Sequence, residues 1–308
     1  MGAGDPLVSV VLASHARPGL IGQALASLVA QTVRDREIIV VDNHSELSAE
    51  IARIVAGYPE VRLIASSENL GFPGGVNLGL RAARGRYVFI TEDDIVLPPE
   101  CLATLSAYME AHPEVGIATG RLVEGSTNVV LYAGGDATLD AVFRMRFVGR
   151  GEPDRAWDAA PVPVTYAPVG MVMVRREMLD RIGELRGDFF MYYEDVEFCL
   201  RALVAGYGVM CLPQLRLVHH ASPPTGDAAR VEFHKLKNMR ALYLLLAPAR
   251  VLPEFTVRYG LIEPARELLR DRTRWLRMVR AWGWVLAHLP GLLRDRRRIA
   301  RLRAEGAA

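Results

Sequence analysis

The clearest structural signal in the chain comes from one segment, Arg86-Tyr-Val-Phe-Ile-Thr-Glu-Asp-Asp-Ile-Val-Leu-Pro-Pro99. Its first part, Tyr87 to Ile90, is a β-branched and aromatic run typical of a buried strand, and the closing prolines predict the start of a helix. Glu92, Asp93 and Asp94 therefore lie at the carboxyl end of a strand. In an open α/β sheet ligands bind at this edge, and carboxylates one residue apart can share a hard cation. The alternative is a solvated acidic turn that complements the dipole of the helix that follows.

Strand and helix patterns alternate on the amino-terminal side of this segment. Leu7 to Ala13 is a continuous apolar run typical of a strand covered on both faces, and apolar residues recur at helical spacing from Leu20 to Leu28. The further predicted elements are a strand at 37–42, a helix near 47–56, a strand at 61–65, a loop at 68–75 and a helix that ends near 83. This alternation predicts an α/β fold with a doubly wound, mostly parallel sheet.

Three predicted loops end at the same edge of this sheet: Ser14 to Gly19, Asp42 to Ser45, and the acidic turn after the Tyr87 strand. Asp42 and Asn43 can hydrogen-bond a base or a ribose, because a carboxylate accepts well from an imide N–H or a sugar hydroxyl. The alternative for this pair is an Asx turn or a helix cap.

A glycine-rich segment, Asn69-Leu-Gly-Phe-Pro-Gly-Gly-Val-Asn-Leu-Gly79, enters the next predicted helix. Glycines let the backbone approach a phosphate or a sugar closely. The spacing matches neither a Walker loop nor the GxGxxG pattern, so simple packing remains the alternative.

A second acidic centre follows an aromatic stretch late in the chain. Glu194 and Asp195 occupy the first turn of a predicted helix that ends at Gly206. Acids at that position also complement a helix dipole, which is the structural alternative. Further on, an extended passage ends on His219 and His220, and a histidine beside carboxylates can complete a metal shell.

Length and charge predict one main domain with a tail. Residues 1–229 contain 19 Lys and Arg against 28 Asp and Glu, whereas residues 230–308 contain 18 against 7. Cys101, Cys199 and Cys211 lack metal-site spacing and indicate core thiols in a reducing compartment. The first residues lack the basic region of a secretion signal, so we do not expect export.

Six sequence motifs follow one another between residues 7 and 225. They are Val10-Val-Leu-Ala-Ser-His-Ala-Arg-Pro18, Val40-Val-Asp-Asn-His-Ser45, Asn69-Leu-Gly-Phe-Pro-Gly-Gly-Val-Asn77, Thr91-Glu-Asp-Asp94, Phe189-Phe-Met-Tyr-Tyr-Glu-Asp-Val-Glu-Phe-Cys-Leu-Arg201 and Val218-His-His-Ala-Ser222. Together they resemble the motifs of the family 2 inverting glycosyltransferases, and within that family the bacterial rhamnosyltransferase-like and galactofuranosyltransferase-like subgroup.

This resemblance implies a GT-A fold, a dTDP- or UDP-sugar donor such as dTDP-L-rhamnose, and Mg²⁺ or Mn²⁺. It implies that the cation is bound by Asp94 together with Glu92 and His219, with His220 as the alternative histidine. The subgroup often has Asn-Pro-Asp or Asp-Asp-Asp where this chain has Glu92-Asp93-Asp94, so either Glu92 or Asp93 remains open as the partner of Asp94. The implied donor-binding residues are Ser14, Arg17, Asp42, Asn43, Asn69, Gly71, Gly74, Gly75, Asn77, Glu92 and Asp93.

The resemblance also assigns roles in the second acidic centre. Asp195 corresponds to the catalytic base, and Glu194 to a neighbour that binds the acceptor or orients the site. An alcohol must lose its proton as it attacks the anomeric carbon, and a positioned carboxylate suits that step.

We therefore predict a catalytic domain at 1–229, with a nucleotide-binding half at about 1–120 and an acceptor half at about 121–229, followed by a basic helical region at 230–308. The segment Trp275 to Leu293 mixes tryptophans with Arg277, Arg280 and Pro290, and it is too interrupted to predict a membrane span. It fits an interfacial helix on anionic lipid, and the alternative is an ordinary helix packed on the catalytic body.

The expected acceptor is a saccharide or a lipid-linked saccharide, and the expected location is the cytoplasm, peripheral at the inner face of the cytoplasmic membrane. No nucleic-acid module accompanies the basic charge, so we expect no nucleic-acid partner, and a homo-oligomer remains open. One alternative is a sugar-nucleotide nucleotidyltransferase, although Ser14 to Gly19 lacks the basic glycine loop that this chemistry needs. A non-catalytic sugar-nucleotide-binding protein is the other.

Overall fold

A computed structural model describes residues 4–15, 17–155, 157, 159–220 and 227–306 of the chain. Ala16 of the first predicted loop and Ala221 and Ser222 of the last motif lie outside the described residues.

Helices and strands account for most of the described residues. In chain order they are β1 (Val8–Ser14), α1 (Pro18–Val29), β2 (Arg36–Asp42), α2 (Ser48–Val55), β3 (Val61–Ala65), α3 (Gly71–Ala82), β4 (Tyr87–Glu92), β5 (Ile95–Val96), α4 (Cys101–Ala111), β6 (Val115–Glu124), β7 (Val130–Tyr132), β8 (Gly135–Leu139), β9 (Phe143–Phe147), β10 (Val162–Pro163), β11 (Met171–Arg175), α5 (Arg176–Ile182), α6 (Glu194–Val204), β12 (Gly208–His219), α7 (Ala228–Leu246), α8 (Leu252–Val257), α9 (Glu263–Arg270) and α10 (Arg272–Gly306). Short 3₁₀ turns lie at Gly187–Phe189 and Ala249–Val251, and a π-helical turn lies at Arg258–Ile262.

The amino-terminal half of the main sheet is parallel. Its strands stand in the order β3, β2, β1, β4, so the chain moves outward from β1 to β3 and then crosses back to place β4 on the other side of β1. Because such crossovers are right-handed, the reversal puts α3 on the face opposite α1 and α2. The predicted doubly wound, mostly parallel sheet is confirmed. A crevice opens at this reversal, between the carboxyl ends of β1 and β4.

The other half of the sheet is mixed. Strand β11 runs antiparallel between β4 and β6, and β12 lies parallel to β6. Near its end β12 also pairs with the short β5, which sets His219 opposite Ile95. This pairing brings the end of β12 to the turn that follows β4.

The hydrophobic core is continuous from the sheet into the carboxyl-terminal helices. Strands β1 and β2 are buried on both faces, as their unbroken apolar runs predict, and Leu242, Tyr243 and Phe255 belong to the same core cluster. The three cysteines are buried and free, as core thiols are expected to be.

The basic carboxyl-terminal region is helical, as predicted. Helix α7 runs across the predicted boundary between residues 229 and 230, and α10 continues for 35 residues through Pro290, which the sequence suggested as an interruption. None of the helices in the described part of the chain combines the length and the apolar character needed to cross a bilayer. One face of α10 is buried, through Met278, Ala281, Val285 and Leu292. The opposite face leaves Leu276, Val279, Leu286 and Leu293 between 40% and 63% exposed.

Candidate functional site

A cleft of about 230 Å³ opens at the reversal point of the sheet. Seven of the residues predicted to bind a donor line it, namely Ser14, Arg17, Asn43, Asn69, Gly71, Glu92 and Asp93. His15, Phe190, Met191, Asp227 and Arg230 line it as well, and the sequence analysis assigned none of these five.

The acidic turn after β4 is held by partners from β1 and the loop that follows it. Ser14 Oγ donates to Asp93 Oδ2 at 2.7 Å, and Arg17 Nη1 lies 2.5 Å from Asp94 Oδ2 and 3.6 Å from Asp93 Oδ1. Burial raises the pKa of Asp93 to about 6, against the opposing effects of Ser14 and Arg17. The Arg17 guanidinium therefore balances negative charge that burial alone would not tolerate.

Glu92 lies beside these carboxylates, and its side chain packs over Gly170. A Cβ atom at position 170 would collide with the Glu92 carboxylate, so glycine lets this side chain keep its position. Burial, followed by the charges of Asp94 and Asp93, raises the pKa of Glu92 to about 7. The neutral form of this carboxyl is therefore favoured more than that of an exposed glutamate.

His219 is the member of the histidine pair that faces Asp94. Its Nε2 lies 3.3 Å from Asp94 Oδ2, whereas the backbone N–H of His220 donates to the backbone carbonyl of Asp94 at 2.8 Å. The hydrogen bond with Asp94 raises the pKa of His219. The two histidines point differently because adjacent strand residues face opposite sides.

The pair Asp94 and His219 fits a hard divalent cation. Asp94 Oδ1 and His219 Nδ1 are buried and have no hydrogen-bond partner among the described residues. Within that part of the chain no three His, Cys, Asp or Glu side chains are arranged to hold a metal ion. The predicted metal ligands Glu92, Asp94 and His219 are therefore not arranged around a common point in this structure. Arg17 forms an ion pair with Asp94, and the Glu92 carboxyl packs over Gly170. Mg²⁺ and Mn²⁺ accept water and phosphate oxygens as further ligands.

The wall of the cleft opposite the acids is built from a turn before α3. Asn43 Oδ1 accepts from the N–H of Leu70 at 3.0 Å, and its Nδ2 donates to the carbonyl of Gly71 at 2.9 Å. Gly71 has φ of +70°, and a Cβ atom there would collide with the carbonyl oxygen of Phe190. Asn69 Oδ1 accepts from the N–H of Gly71 at 2.9 Å. The two asparagines thus fix the backbone that faces the cleft.

Four predicted donor-binding residues do not line the cleft. Asp42 Oδ1 accepts from the N–H of Ser45 at 3.0 Å, which is the Asx turn considered as its alternative. Asn77 bonds both the N–H and the carbonyl of Leu185, at 3.1 and 2.8 Å. Gly74 and Gly75 allow close packing within the start of α3, against Leu70 and Asn43. The glycine-rich segment is therefore mainly a packing device in this structure, and helix α3 begins inside it. A donor contact from these four residues stays a prediction.

The second acidic centre lies at the start of α6. Asp195 Oδ2 accepts from the Tyr166 hydroxyl at 2.9 Å, and Oδ1 accepts from the N–H of Val196 at 2.8 Å. Burial raises the pKa of Asp195, and these two hydrogen bonds oppose the rise. Glu194 is 7% exposed, and its Oε2 has no hydrogen-bond partner among the described residues. Burial, then the charges of Asp195 and Glu92, raise its pKa well above the usual range, so the neutral form of Glu194 is favoured, and Glu92 of the first centre contributes to this shift.

The turn that leads into α6 is strained and is held by α7. Phe190, Tyr192 and Tyr193 all have φ between 66° and 68°, a region that non-glycine residues rarely adopt. Asn238 of α7 is fully buried, and its Nδ2 donates to the carbonyls of Phe189, Met191 and Tyr192 at 2.8 to 2.9 Å. The helix at the head of the basic region therefore shapes the approach to Glu194 and Asp195.

Sequence reasoning missed Tyr166 and Asn238. Tyr166 carried no local signal, because its partner lies 29 residues away. Asn238 did carry one, since it is a polar residue on the apolar stripe formed by Ala241, Leu242 and Leu245. A buried amide at such a position must find hydrogen-bond partners.

The chain matches one protein-family model and several curated proteins. The model of one protein family, Glycosyl transferase family 2, matches residues 9–183. The chain is 28% identical over 236 residues to the O-antigen biosynthesis protein RfbC of Myxococcus xanthus, a match covering 71% of this chain and 18% of that protein. It is 26% identical over 271 residues to the N-acetylglucosaminyl-diphospho-decaprenol L-rhamnosyltransferase of Mycobacterium tuberculosis, covering 78% of this chain and 84% of that protein. The matches span between 18% and 25% of the length of the first curated relatives.

Among solved structures, the crystal structure of GalNAc-T7 with UDP, GalNAc and Mn²⁺ superposes with a TM-score of 0.67 at 15% identity, covering 83% of this chain and 51% of that one. Likeness at this identity concerns the fold, and the GT-A fold implied by the sequence motifs is confirmed.

Proposed function

The chain belongs to glycosyl transferase family 2, and from that premise we propose that it is an inverting glycosyltransferase acting in cell-surface polysaccharide synthesis. The donor in this proposal is a dTDP- or UDP-sugar, with dTDP-L-rhamnose the first candidate, and the acceptor is a saccharide or a lipid-linked saccharide. The names of the Myxococcus and Mycobacterium relatives support this substrate class. The observation that carries the proposal is the neighbourhood of two acidic centres, since the charge of Glu92, beside Asp94, helps to raise the pKa of Glu194, beside Asp195.

The first centre serves the donor diphosphate. We assign the cation contact to Asp94 and His219, with Glu92 as the acid beside them. When bound, Mg²⁺ or Mn²⁺ offsets the negative charge that develops on the leaving nucleoside diphosphate. GalNAc-T7 was solved with Mn²⁺ and UDP, which supports a divalent ion here. Arg17, released from Asp94, has a guanidinium whose planar donors match diphosphate oxygens.

The second centre serves the acceptor. Asp195 takes the proton of the acceptor hydroxyl while that oxygen bonds to the anomeric carbon from the face opposite the diphosphate. The bond from carbon to the diphosphate oxygen breaks, and its electron pair leaves with the nucleoside diphosphate. Tyr166 orients the carboxylate of Asp195 through its hydrogen bond. Glu194, whose neutral form is favoured by burial, binds the acceptor or orients the site.

In this proposal the carboxyl-terminal region attaches the protein to the membrane surface. The outward face of α10 combines exposed leucines with arginines, a composition that suits the interface of an anionic leaflet. We assign it a peripheral contact at the inner face of the cytoplasmic membrane, where a lipid-linked acceptor is presented.

The test is a panel of nucleotide-sugars, each incubated with full-length protein and acceptor mixtures, with a divalent ion present or chelated. Metal-dependent release of nucleoside diphosphate from one donor is the expected result. Release of pyrophosphate from a sugar phosphate and a nucleoside triphosphate would favour the nucleotidyltransferase alternative. Binding without turnover for every donor would favour a non-catalytic sugar-nucleotide-binding protein.

A further inference from the structure

A second cleft adjoins the donor cleft on its carboxyl-terminal side. It has a volume of about 660 Å³ and lies between the first turns of α7 and α10. Arg230, Phe233, Leu276, Arg277 and Arg280 line it. Arg230 also lines the donor cleft, and its guanidinium carbon lies 4.5 Å from the centre of the Phe190 ring on that side. The two clefts are therefore neighbours that share one arginine.

The charge of this second cleft is mostly positive and only partly neutralised. Arg277 pairs with Glu232 across the helix contact, with 2.5 Å between Nε and Oε2. Asp227 is the acid in the lining, and its Oδ1 already accepts from the N–H of Ala229. Within the described residues, neither Arg230 nor Arg280 has a carboxylate partner within 4.0 Å. Arg230 and Arg280 are both exposed guanidinium groups that line one cleft beside an apolar wall, a combination that suits a phosphate or diphosphate.

The orientation of the two helices adds to the positive electrostatic potential of the second cleft. Glu232 near the start of α7 contacts Arg274 and Arg277 near the start of α10, and Lys237 lies 4.2 Å from the Trp284 ring further along both helices. The helices thus run parallel, and both amino termini, which carry positive partial charge, lie on the side of the cleft.

An apolar track leads away from the arginines. Leu276 lines the cleft, and Val279, Leu286 and Leu293 continue along the exposed face of α10 at helical spacing. These residues span about 25 Å of a straight helix. An anionic head at Arg230 and Arg280 with an alkyl chain along this stripe would satisfy the charge and cover the leucines.

We infer that this cleft binds the diphosphate of a lipid-linked acceptor, with its alkyl chain on the exposed face of α10. The inference rests on the proposed function and specifies the acceptor as an alkyl diphosphate that carries the accepting sugar. Because Arg230 lines both clefts, a sugar attached to that diphosphate lies at the donor cleft.

The experiment measures the equilibrium binding of farnesyl diphosphate to full-length protein in EDTA, so that capture through a cation is suppressed. Arg280→Glu is expected to raise the dissociation constant by about tenfold or more, since it replaces a charge-assisted contact by repulsion. Arg297→Glu is the matched control, because it changes the same charge on an exposed part of α10 outside both clefts, and it is expected to bind within a factor of about two of wild type. Arg280→Gln, which removes charge without reversing it, repeats the test if the glutamate variant fails to fold by circular dichroism.

Two further ligands distinguish recognition of the diphosphate from recognition of the alkyl chain. Inorganic pyrophosphate and farnesol are each expected to bind more weakly than farnesyl diphosphate, since each offers half of the recognised chemistry. Equal affinity for pyrophosphate would overturn the alkyl part of the inference. An equal loss of farnesyl diphosphate affinity for Arg280→Glu and Arg297→Glu would show that α10 acts through general charge and would overturn the cleft assignment.

This binding needs no turnover, so its outcome is independent of the proposed reaction. Farnesyl diphosphate binding without nucleoside diphosphate release from any donor would refute the glycosyltransferase proposal. Donor turnover with a neutral saccharide acceptor, together with no binding of farnesyl diphosphate, would refute the inference alone.

Discussion

Replacement of Asn238 by alanine tests whether α7 holds the approach to the second acidic centre. The amide of Asn238 has two N–H groups that serve the carbonyls of Phe189, Met191 and Tyr192, all at 2.8 to 2.9 Å. Alanine removes both donors, so the partly buried carbonyls of Met191 and Tyr192 lose this partner, whereas the carbonyl of Phe189 still accepts from the N–H of Met191 at 2.8 Å. The turn that these bonds restrain contains three non-glycine residues at positive φ.

The expected loss of stability follows from these contacts. Two hydrogen bonds contribute about 1 kcal/mol each to the free energy of unfolding, and a carbonyl left buried without a partner costs about 1–3 kcal/mol. Each left-handed residue costs roughly 1–2 kcal/mol, so the freed turn relaxes and recovers part of this loss. We therefore expect Asn238→Ala to lower the free energy of unfolding by about 2–4 kcal/mol.

Urea denaturation measures this loss, and nucleoside diphosphate release measures its effect on transfer. Transfer should fall by about tenfold or more at temperatures where the variant is fully folded, because a displacement of about 1 Å in a catalytic group can cost up to 10²-fold. Asn238→Asp is the matched variant, since it keeps the shape but aims a carboxylate at three carbonyls, and it should be less stable than the alanine variant. Alanine and aspartate variants as stable and active as wild type, or an aspartate variant more stable than alanine, would refute the clamp.

Four further outcomes test the assigned roles. The binding of UDP or dTDP, measured by calorimetry, should weaken strongly in EDTA and recover with Mn²⁺ or Mg²⁺, and tight binding under chelation would contradict the metal site. Asp94→Ala should lose more activity than Asp93→Ala. Asp195→Asn should lower transfer by roughly 10²-fold while donor binding persists, and near-normal turnover would remove it as the base. Tyr166→Phe removes a hydrogen bond that lowers the pKa of Asp195. The base then becomes protonated at a higher pH, so the acid limb of the pH–rate profile should shift to higher pH. An acid limb at the same pH as in wild type would show that Tyr166 does not act on the base. Leu286→Asp, at a 63% exposed position, should weaken binding to anionic vesicles without changing the thermal midpoint, whereas unchanged vesicle binding would indicate that α10 only packs.

The sequence predicted the elements whose signal is local. The apolar runs of β1, β2 and β4 predicted buried parallel strands, and their acidic ends predicted the position of the cleft because parallel strands share an edge. The pairing of β5 with β12, which selects His219 over His220, could not be predicted, since it joins residues more than 120 positions apart.

The glycine-rich segment shows why residue roles were harder to predict than the fold. A glycine or an asparagine permits a ligand contact and a packing contact equally well, and the choice depends on the partner. For Asn77 that partner is the backbone of Leu185, 108 positions away. No local pattern contains this information.

The charge of the carboxyl-terminal region shows a related limit of composition. Composition counts charges without regard to burial, yet Lys237 is 2% exposed and Arg240 is fully buried against Trp282 and the carbonyls of its neighbours. Part of the positive charge assigned to a membrane-facing tail thus belongs to the interior of the packed structure. The arginines on the outward face of α10 are the ones that remain for anionic partners.

The dependence of the strained turn on Asn238 also has a consequence for the timing of synthesis. The turn that precedes Glu194 is translated 46 residues before the amide that restrains its last carbonyl. At about 5–20 residues per second, a nascent chain carries its acidic residues for roughly 2–9 s before that restraint exists. A partly made chain therefore holds the strands that end at the cleft, and the turn before Glu194, before α7 supplies the side chain that restrains this turn.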